Sequence, residues 1–375
     1  MLLTIHQLRY RFEYRPQKGY FGNPFCFLIL LMIMKKINWI TRWIKLIAFQ
    51  MFFATICLCC YAQTGSRKNL LLALSKTEHT LAIVDPATLK VLSKVPVGED
   101  PHEVIASGDG TTAYVSIYGG GSLHTINNID LVAQRKKLDV DTKPLYGPHD
   151  LVYVNNKVWF TAEGSKAVGR YDPAANKIEW SMGTGQERTH MLHVTNDANN
   201  IYTININSGT VSILSNSPAQ NGRENWTQTL VPVARGSEGF DVTPDGKSLW
   251  TVSGQDGSIS IIDLAGKKSD ATIDARLVGA NRLKFTRDGK YALIASLRMG
   301  QLIVYDVAAR KEWKRIDIGH GAAGILVQPD NKRAFVACTP DNYVAVIDLN
   351  TWEVKDKLDV GRNPDGLAWA DAGTK

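Results

Sequence analysis

Histidines that could do chemistry recur along the chain at a wide and nearly even spacing. His102, His149 and His190 lie 47 and 41 residues apart, and each stands at the start of an apolar segment. Glu238 occupies the same place one interval later. Imidazole and carboxylate groups bind divalent transition metals, and they also serve as acid and base in catalysis. Four such groups at one repeated position predict a shared site, provided that the fold brings them together.

Further polar residues extend this candidate site. Asn281, Arg282 and Asp365 follow at the same or the next position of the repeat, and Glu163 lies where a second strand ends on the same side. We expect the histidines with Glu163 and Glu238 on one side of the site, and the other three residues on the opposite side. The candidate ligand-binding residues are His102, His149, Glu163, His190, Glu238, Asn281, Arg282 and Asp365.

Three interpretations of this set stay open from the residues alone. In the first, a divalent transition metal is bound by His102, His149, His190 and Glu238. In the second, the same groups act as acid and base on a bound small molecule, and Arg282 stabilises an anion. In the third, they satisfy backbone groups at the ends of loops and face water in a channel.

The elements that must position these residues form a sevenfold repeat. Seven apolar segments, most of them ending in Asp, end about 42 to 49 residues apart, and each leads into a polar turn and a further short strand. They are Leu81–Asp85, Leu123–Asn127, Val168–Asp172, Val211–Leu214, Ile259–Asp263, Leu302–Asp306 and Val344–Asp348. A period of this size in a chain of strands is typical of a β-propeller, in which each repeat is one four-stranded blade.

The two ends of the chain predict how the ring closes. Gly366–Ala370 is an inner strand with no partner after it, and Asn69–Leu74 is a second strand with no inner strand before it. Together with Leu81–Asp85 and Val91–Val97 they complete one blade, which removes the open edges of the ring. The predicted fold class is all-β, a seven-bladed β-propeller over residues 67–372. The candidate residues would then ring one mouth of its central channel.

Several strand motifs carry a resemblance to a known family. They are Tyr114-Val115-Ser116, Trp159-Phe160-Thr161 and Trp250-Thr251-Val252, accompanied by the turn Pro244-Asp245-Gly246 and the strand Ser260–Asp263. Over the whole mature chain the sequence resembles the YncE-like, YVTN-type β-propeller repeat family. The resemblance implies the fold but not one activity, because the wider group includes lactonase-like enzymes, surface and periplasmic binding proteins, and propellers that support haem or quinone chemistry. No CxxCH haem-attachment sequence occurs in the chain.

The first 62 residues do not follow the repeat. A basic stretch from Met34 to Lys45 precedes the apolar run Leu46–Leu58. We expect residues 34–62 to be a secretory signal peptide cleaved before Gln63, and residues 1–33 to be an upstream extension mis-assigned to the protein. An N-terminal membrane anchor is the alternative, although the apolar run is short for a spanning helix.

Charge and cysteine content exclude some classes of function. Of the 43 basic and 36 acidic residues, eight and one lie in residues 1–62, which leaves 35 of each in the mature part. This balance gives no support to a nucleic-acid-binding surface. Cys338 is the only cysteine after residue 62, so no disulfide can form within the mature chain. We expect Cys338 to be a buried apolar residue of its strand.

Two functions are compatible with this sequence. The first is an exported periplasmic or extracellular propeller, monomeric and without a membrane span after cleavage, that binds a small molecule or a protein at the channel mouth without turnover. The second is a lactonase-like or lyase-like enzyme that uses the same face. No nucleophile elbow of the Gly-x-Ser-x-Gly type occurs, which argues against serine hydrolysis.

Overall fold

The computed structural model describes residues 68–217 and 223–371, which form seven four-stranded antiparallel blades. Within these residues there is no α-helix, only two 3₁₀ turns, Gly119–Gly121 and Glu163–Ser165. Among the helical segments that are described, none has the length and apolarity needed to cross a bilayer. The all-β, seven-bladed prediction is confirmed. The predicted signal peptide and upstream extension lie outside the described residues.

We number the blades 1 to 7 from the first described residue, so that blade 1 contains both the first and the last described strand. The inner strand of each blade borders the channel, and all seven contact their neighbours to complete a ring. In blade order the inner strands are Pro364–Ala370, Pro101–Ala106, Pro148–Val154, Thr189–Val194, Ser237–Val242, Ala280–Phe285 and Ala322–Val327.

The second and third strands of each blade are almost wholly buried and rich in Val, Ile, Leu and Ala, as expected for strands covered on both faces. In blade order the second strands are Leu70–Ser75, Thr112–Ile117, Lys157–Ala162, Asn200–Asn205, Ser248–Ser253, Tyr291–Ser296 and Arg333–Cys338. The third strands are Thr80–Asp85, Thr125–Asp130, Ala167–Asp172, Thr210–Asn216, Ile259–Asp263, Gln301–Asp306 and Tyr343–Asp348.

The outer strands are the most polar and the most exposed of each blade. Charged residues at such an edge discourage pairing with another chain. In blade order they are Lys90–Pro96, Arg135–Lys136 with Val140–Asp141, Lys177–Gly183, Trp226–Pro232, Lys268–Ile273, Lys311–Asp317 and Glu353–Leu358.

The predicted closure of the ring is confirmed in blade 1. The inner strand Pro364–Ala370 pairs with Leu70–Ser75, with Leu71 opposite Trp369 and Ala73 opposite Leu367. The ring is therefore closed by hydrogen bonds between the first and the last described strand.

The Asp at the end of most third strands has a structural role. Its carboxylate accepts the backbone N–H of a residue in the turn that follows, as in Asp85 to Ala87 at 2.9 Å and Asp348 to Asn350 at 2.7 Å. A short acidic side chain suits this position because it can hydrogen-bond the backbone two residues on. One third strand was predicted two to three residues early: in blade 2 the terminal Asp is Asp130, because the turn after Gly119–Gly121 delays the start of the strand.

The core lies between neighbouring blades. Leu71 and Ala73 of blade 1 pack with Phe335 and Val344 of blade 7, and the same kind of cluster joins the other blades. Cys338 is buried in one of these clusters and its thiol pKa is raised by burial, as expected for a small apolar residue. The interfaces between blades fix where each inner strand points into the channel.

Candidate functional site

Each inner strand begins at the same face of the propeller, and a β-bulge near its start turns the first residues toward the channel mouth. Hydroxyl groups from the second strand hold this bend. Ser116 accepts the backbone N–H of Glu103 at 3.0 Å, and Thr161 accepts that of Asp150 at 3.0 Å while donating to the carbonyl of His190. The Ser and Thr that end the strand motifs thus position the candidate residues.

His190 is held between two carboxylates. Its Nδ1 lies 2.6 Å from Glu163 and its Nε2 lies 3.5 Å from Glu238. Burial by itself lowers the pKa of His190, but the two carboxylates outweigh it and raise the pKa above its ordinary value. An acidic partner at each ring nitrogen favours the protonated form of His190.

The carboxylate of Glu163 collects three donors. Tyr118 donates its hydroxyl at 2.7 Å, Arg188 donates at 3.1 Å, and His190 occupies the other oxygen. Burial acts to raise the pKa of Glu163, yet its hydrogen bonds with His190 and Tyr118 lower it to about 2. The pKa of Glu238 is likewise lowered to about 2, against the effect of burial, by His190 and then by Arg282.

His149 lies against His190, with ring centroids 3.7 Å apart, and has no carboxylate partner. Only 2% of it is exposed, and its Nδ1 has no hydrogen-bond partner among the described residues. Burial and then the neighbouring charge of His190 hold the pKa of His149 well below its ordinary value. His149 is therefore a neutral imidazole with an unused nitrogen.

His102 completes the row of imidazoles at 4.8 Å from His149 and belongs to an ion cluster at the rim. Lys76 approaches its Nε2 to 2.9 Å, and Lys76 also pairs with Asp100 at 3.2 Å and with Asp365 at 3.4 Å. Hydrogen bonding to His102 holds the pKa of Asp100 well below its ordinary value. This cluster links blades 1 and 2 across the mouth.

Arg282 crosses the channel. Its guanidinium lies 2.6 Å from Glu103 of blade 2 and 3.1 Å from Glu238 of blade 5. These carboxylates raise its pKa further, against the effect of burial. The expected division into two sides is therefore wrong for Arg282, since its long side chain joins the same network as His190.

Glu103 is a buried carboxyl group of the mouth whose pKa is raised. Burial raises the pKa of Glu103 to about 7, Arg282 opposes this, and the carboxylates of Asp150 and Asp365 add to it. Asp150 is also buried, and burial raises its pKa although its oxygens accept the backbone N–H groups of Leu151 and Leu192. Raised carboxyl pKa values in a cleft are typical of acid–base sites.

Asp365 and Asn281 complete the predicted set. Asp365 joins the network through Lys76 and lies 3.6 Å from the Nδ1 of His102. Asn281 is 4% exposed, and its side-chain Oδ1 has no partner among the described residues, although its backbone carbonyl accepts from Arg282. The structure thus brings all eight candidates to one mouth, seven of them in contact through side chains.

A cavity of about 500 Å³ occupies the channel beyond this network. Glu103, Asp150 and Arg282 line it at one end, and its walls come from apolar inner-strand residues such as Ile105, Val152 and Leu326. The three predicted histidines do not line it. The histidines therefore lie outside the cavity, although their shared repeat position predicts a single site at the mouth.

The donors do not fit a metal centre as arranged. No group of three or more His, Cys, Asp or Glu in the described part of the chain has metal-binding geometry. The rings of His149 and His190 lie 3.7 Å apart at a tilt of 36°, and both ring nitrogens of His190 face carboxylates. The metal interpretation stays a prediction from the sequence.

Sequence reasoning missed several members of the network. Lys76 directly follows the second strand of blade 1, which is the repeat position that led to Glu163 in blade 3. Asp100 and Arg188 stand just before inner strands. These three residues flank the same strand ends as the predicted residues, so the repeat position could have identified them. Tyr118, which follows the second strand of blade 2, is one of the strand-end residues that the sequence places on this face.

Trp226 of the outer strand of blade 4 packs away from the channel mouth. Its ring lies 5.0 Å from Trp180 and 6.3 Å from Trp159, between the outer parts of blades 3 and 4. Its indole N–H donates to Glu224 at 3.0 Å. Trp226 therefore supports the outer edge of the sheet and not the channel mouth.

Comparison with known proteins supports the fold and does not identify a function. No protein-family model matches the chain, and no curated protein matches it. Among solved structures, an unknown-function protein of Desulfotomaculum acetoxidans has a TM-score of 0.67 at 13% identity, covering 81% of this chain and 99% of that one. The "putative 6-phosphogluconolactonase" of Bacteroides fragilis gives 0.66 at 16%, covering 82% and 99%.

A third similar structure is the hydrazine synthase of Kuenenia stuttgartiensis, with a TM-score of 0.63 at 18% identity, covering 73% of this chain and 90% of that one. At such identities the likeness shows a shared propeller and nothing about chemistry. The function must therefore be argued from the channel mouth itself.

Proposed function

We propose that the protein is an exported β-propeller that binds a small molecule at the channel mouth formed by His102, His149, His190 and their partners. The observation that carries this proposal is the unpartnered Nδ1 of His149, on a residue that is 98% buried. A buried polar atom without a partner costs free energy, so in native proteins it is usually satisfied by a bound water or ligand. Asn281 presents a second such atom.

The setting supports ligand binding more than a purely structural role. His190, Arg282, Glu163 and Glu238 are charged groups held largely away from water, where each must be paired to be stable. Concentration of such groups at one channel mouth is typical of a functional site. The rest of the proposal, export through residues 34–62 and action as a single chain without nucleic acid, follows from the sequence.

The NMR signals of the histidine ring nitrogens test whether a ligand binds. Protein labelled with ¹⁵N-histidine is titrated with a panel of sugars, carboxylates, primary amines and Zn²⁺ at millimolar concentration. We expect at least one class to shift the His149 resonances while those of His320, which is exposed and lies outside the network, stay unchanged. A panel that leaves His149 unmoved, or moves both residues equally, contradicts the proposal.

Glu103 favours a second candidate function, a lactonase-like or lyase-like enzyme. Its pKa of about 7 suits a general acid or base at neutral pH, and it borders both Arg282 and the cavity. One similar structure bears the name of a lactonase.

The enzyme candidate predicts that the protein hydrolyses a six-membered sugar lactone faster than buffer, and that Glu103→Gln lowers kcat about 100-fold or more. Hydrolysis is followed by release of acid at pH 7. Asp241→Asn, at the far part of the cavity, is the matched control. Rates equal to buffer in the wild type count against turnover and leave the binding function standing.

A further inference from the structure

The channel cavity has charged groups at both of its ends. Glu103, Asp150 and Arg282 lie at the end next to the mouth, as described above. Lys284, on the inner strand of blade 6, and Arg287, in the turn after that strand, line the same cavity. Because the inner strands begin at the mouth, Arg287 lies toward the opposite opening of the channel, which we call the far opening. The network of the mouth uses neither Lys284 nor Arg287.

The acidic groups of the cavity serve the contacts between blades. Of the described residues that line it, three are acidic. Asp150 accepts two backbone N–H groups and Glu103 pairs with Arg282, as described above. The third, Asp241, accepts the backbone N–H of Phe285 on the next blade at 3.0 Å. A cationic ligand would compete with these donors for the same oxygens, which argues against it.

The cationic groups of the cavity are less fully used. Arg282 lies buried between two carboxylates. The Nζ of Lys284, by contrast, lies 3.7 Å from the nearest oxygen of Asp241, which is longer than a hydrogen bond, and 38% of the Lys284 side chain is exposed. Arg287 is exposed and donates to the carbonyl oxygen of Val327 at 3.2 Å, and no carboxylate of the described residues pairs with it. Both side chains therefore keep N–H groups for an anion.

The space between the two ends has apolar walls. Ile105, Val152 and Leu326 line it together with Phe285 and Trp369. A cavity of about 500 Å³ with mostly hydrophobic walls and a few charged groups is typical of a site for a small organic molecule. The apolar part of such a molecule is stabilised against these walls because it leaves water.

We propose that the channel cavity binds an organic monocarboxylate with an apolar body. Its carboxylate meets Lys284 and Arg287, and its body lies against the apolar walls. A carboxylate suits these two cations because charge-assisted hydrogen bonds are strong and a guanidinium matches its planar shape. A group with two negative charges would also meet Asp241, so a single charge is favoured. This site goes beyond the function proposed above, since none of the imidazoles of the mouth lines the cavity.

The first test is a matched series of small molecules. Wild-type protein is titrated by isothermal calorimetry at pH 7 with 4-phenylbutyrate, 4-phenylbutylamine, 4-phenyl-1-butanol and acetate. We expect 4-phenylbutyrate to bind at least about tenfold more tightly than each of the others, about 1.4 kcal/mol, because it alone has both the carboxylate and the apolar body. Equal or tighter binding of any other member overturns the inference, as does the absence of saturable binding of 4-phenylbutyrate.

Variants test where the carboxylate lies. Lys284→Gln and Arg287→Gln each remove one of the two cations. Lys290→Gln is the matched control, because Lys290 is an exposed cation of the following turn that does not line the cavity. We expect the affinity for 4-phenylbutyrate to fall about fivefold or more in the first two variants and to stay unchanged in the control.

An affinity that is the same in all three variants contradicts the proposed position of the carboxylate. Arg287 is exposed and its side chain contacts only a backbone carbonyl among the described residues, so Arg287→Gln keeps the test valid if Lys284→Gln does not fold. Because neither residue belongs to the network of the mouth, failure of this inference leaves the titration of His149 and the function that it tests unaffected.

Discussion

The first residues of the inner strand have different roles in different blades at the channel mouth. In blades 2 and 3 the inner strand begins with His102-Glu103 and His149-Asp150, whose side chains reach into the channel mouth. In blades 7 and 1 the equivalent pairs are Ala323-Gly324 and Asp365-Gly366. A Cβ on Gly324 would lie 2.2 Å from the carbonyl oxygen of Asp365. The inner strands of blades 7 and 1 therefore pack backbone against backbone, and the space in the channel is left to the side chains of blades 2 and 3.

The largest effect should come from Arg282 of blade 6, whose guanidinium joins Glu103 of blade 2 to Glu238 of blade 5. Arg282→Met leaves both carboxylates without this guanidinium partner. We expect the free energy of unfolding to fall by about 3–5 kcal/mol, as for other broken buried ion pairs. Urea denaturation at pH 7 measures it. A loss below about 1 kcal/mol would mean that Arg282 does not stabilise the contact between these blades.

A somewhat smaller loss of stability is expected when a glycine of the inner strand of blade 1 is replaced. Gly366→Ala would place a Cβ 2.4 Å from the carbonyl oxygen of His102 and 2.9 Å from the Cα of Glu103, both of them backbone atoms. We expect a cost of about 1–3 kcal/mol from overpacking. Gly183→Ala is the control, because no atom lies within 4 Å of its Cβ. Equal stabilities of the two variants would show that close packing does not require glycine there.

The two neighbouring imidazoles of His149 and His190 predict opposite dependences of stability on pH. His149 resists protonation in the folded protein while the unfolded chain takes up a proton below pH 6.5, so His149 makes stability fall on acidification. His190 has a raised pKa, so its contribution is complete below pH 6.5 and is lost as pH rises through the folded value.

Substitution of either histidine should therefore change the slope of stability against pH with opposite sign. His149→Gln removes the loss below pH 6.5, and His190→Gln removes the loss above it, each by up to about 1.4 kcal/mol per pH unit. Urea denaturation between pH 5 and 8 gives both slopes. Slopes that change in the same direction for the two variants would contradict the assigned charge states.

The smallest effect belongs to the rim. Asp100 and Lys76 keep 35% and 25% of their side chains exposed, so water and salt screen their ion pair. Asp100→Asn should cost at most about 1 kcal/mol at low salt, and less at 1 M NaCl. If Asp100→Asn lowered the free energy of unfolding as much as Arg282→Met, the exposed ion pair of the rim would contribute as much as the buried pairs of Arg282, which would contradict this prediction.

The sequence predicted the strands better than the contacts between side chains. The period, the turn-forming Asp residues and the unmatched strands at the two chain ends indicated seven blades and their closure, because each depends on local chemistry. It also brought His102, His149 and His190 to one mouth. The reach of Arg282 across the channel could not be predicted, since it depends on side-chain length against channel width. The close contact between the rings of His149 and His190 could not be predicted either, because it depends on the geometry of the β-bulges.

The pairing of Leu70–Ser75 with Pro364–Ala370 has a consequence for biosynthesis. Leu70–Ser75 is synthesised before every other described strand, and its partner Pro364–Ala370 is synthesised after all of them. Until Pro364–Ala370 has been made, blade 1 keeps an unpaired edge that another chain could occupy. The ring therefore cannot close while the blades between these two strands are being made, and a product truncated before Pro364 would lack the strand that closes it.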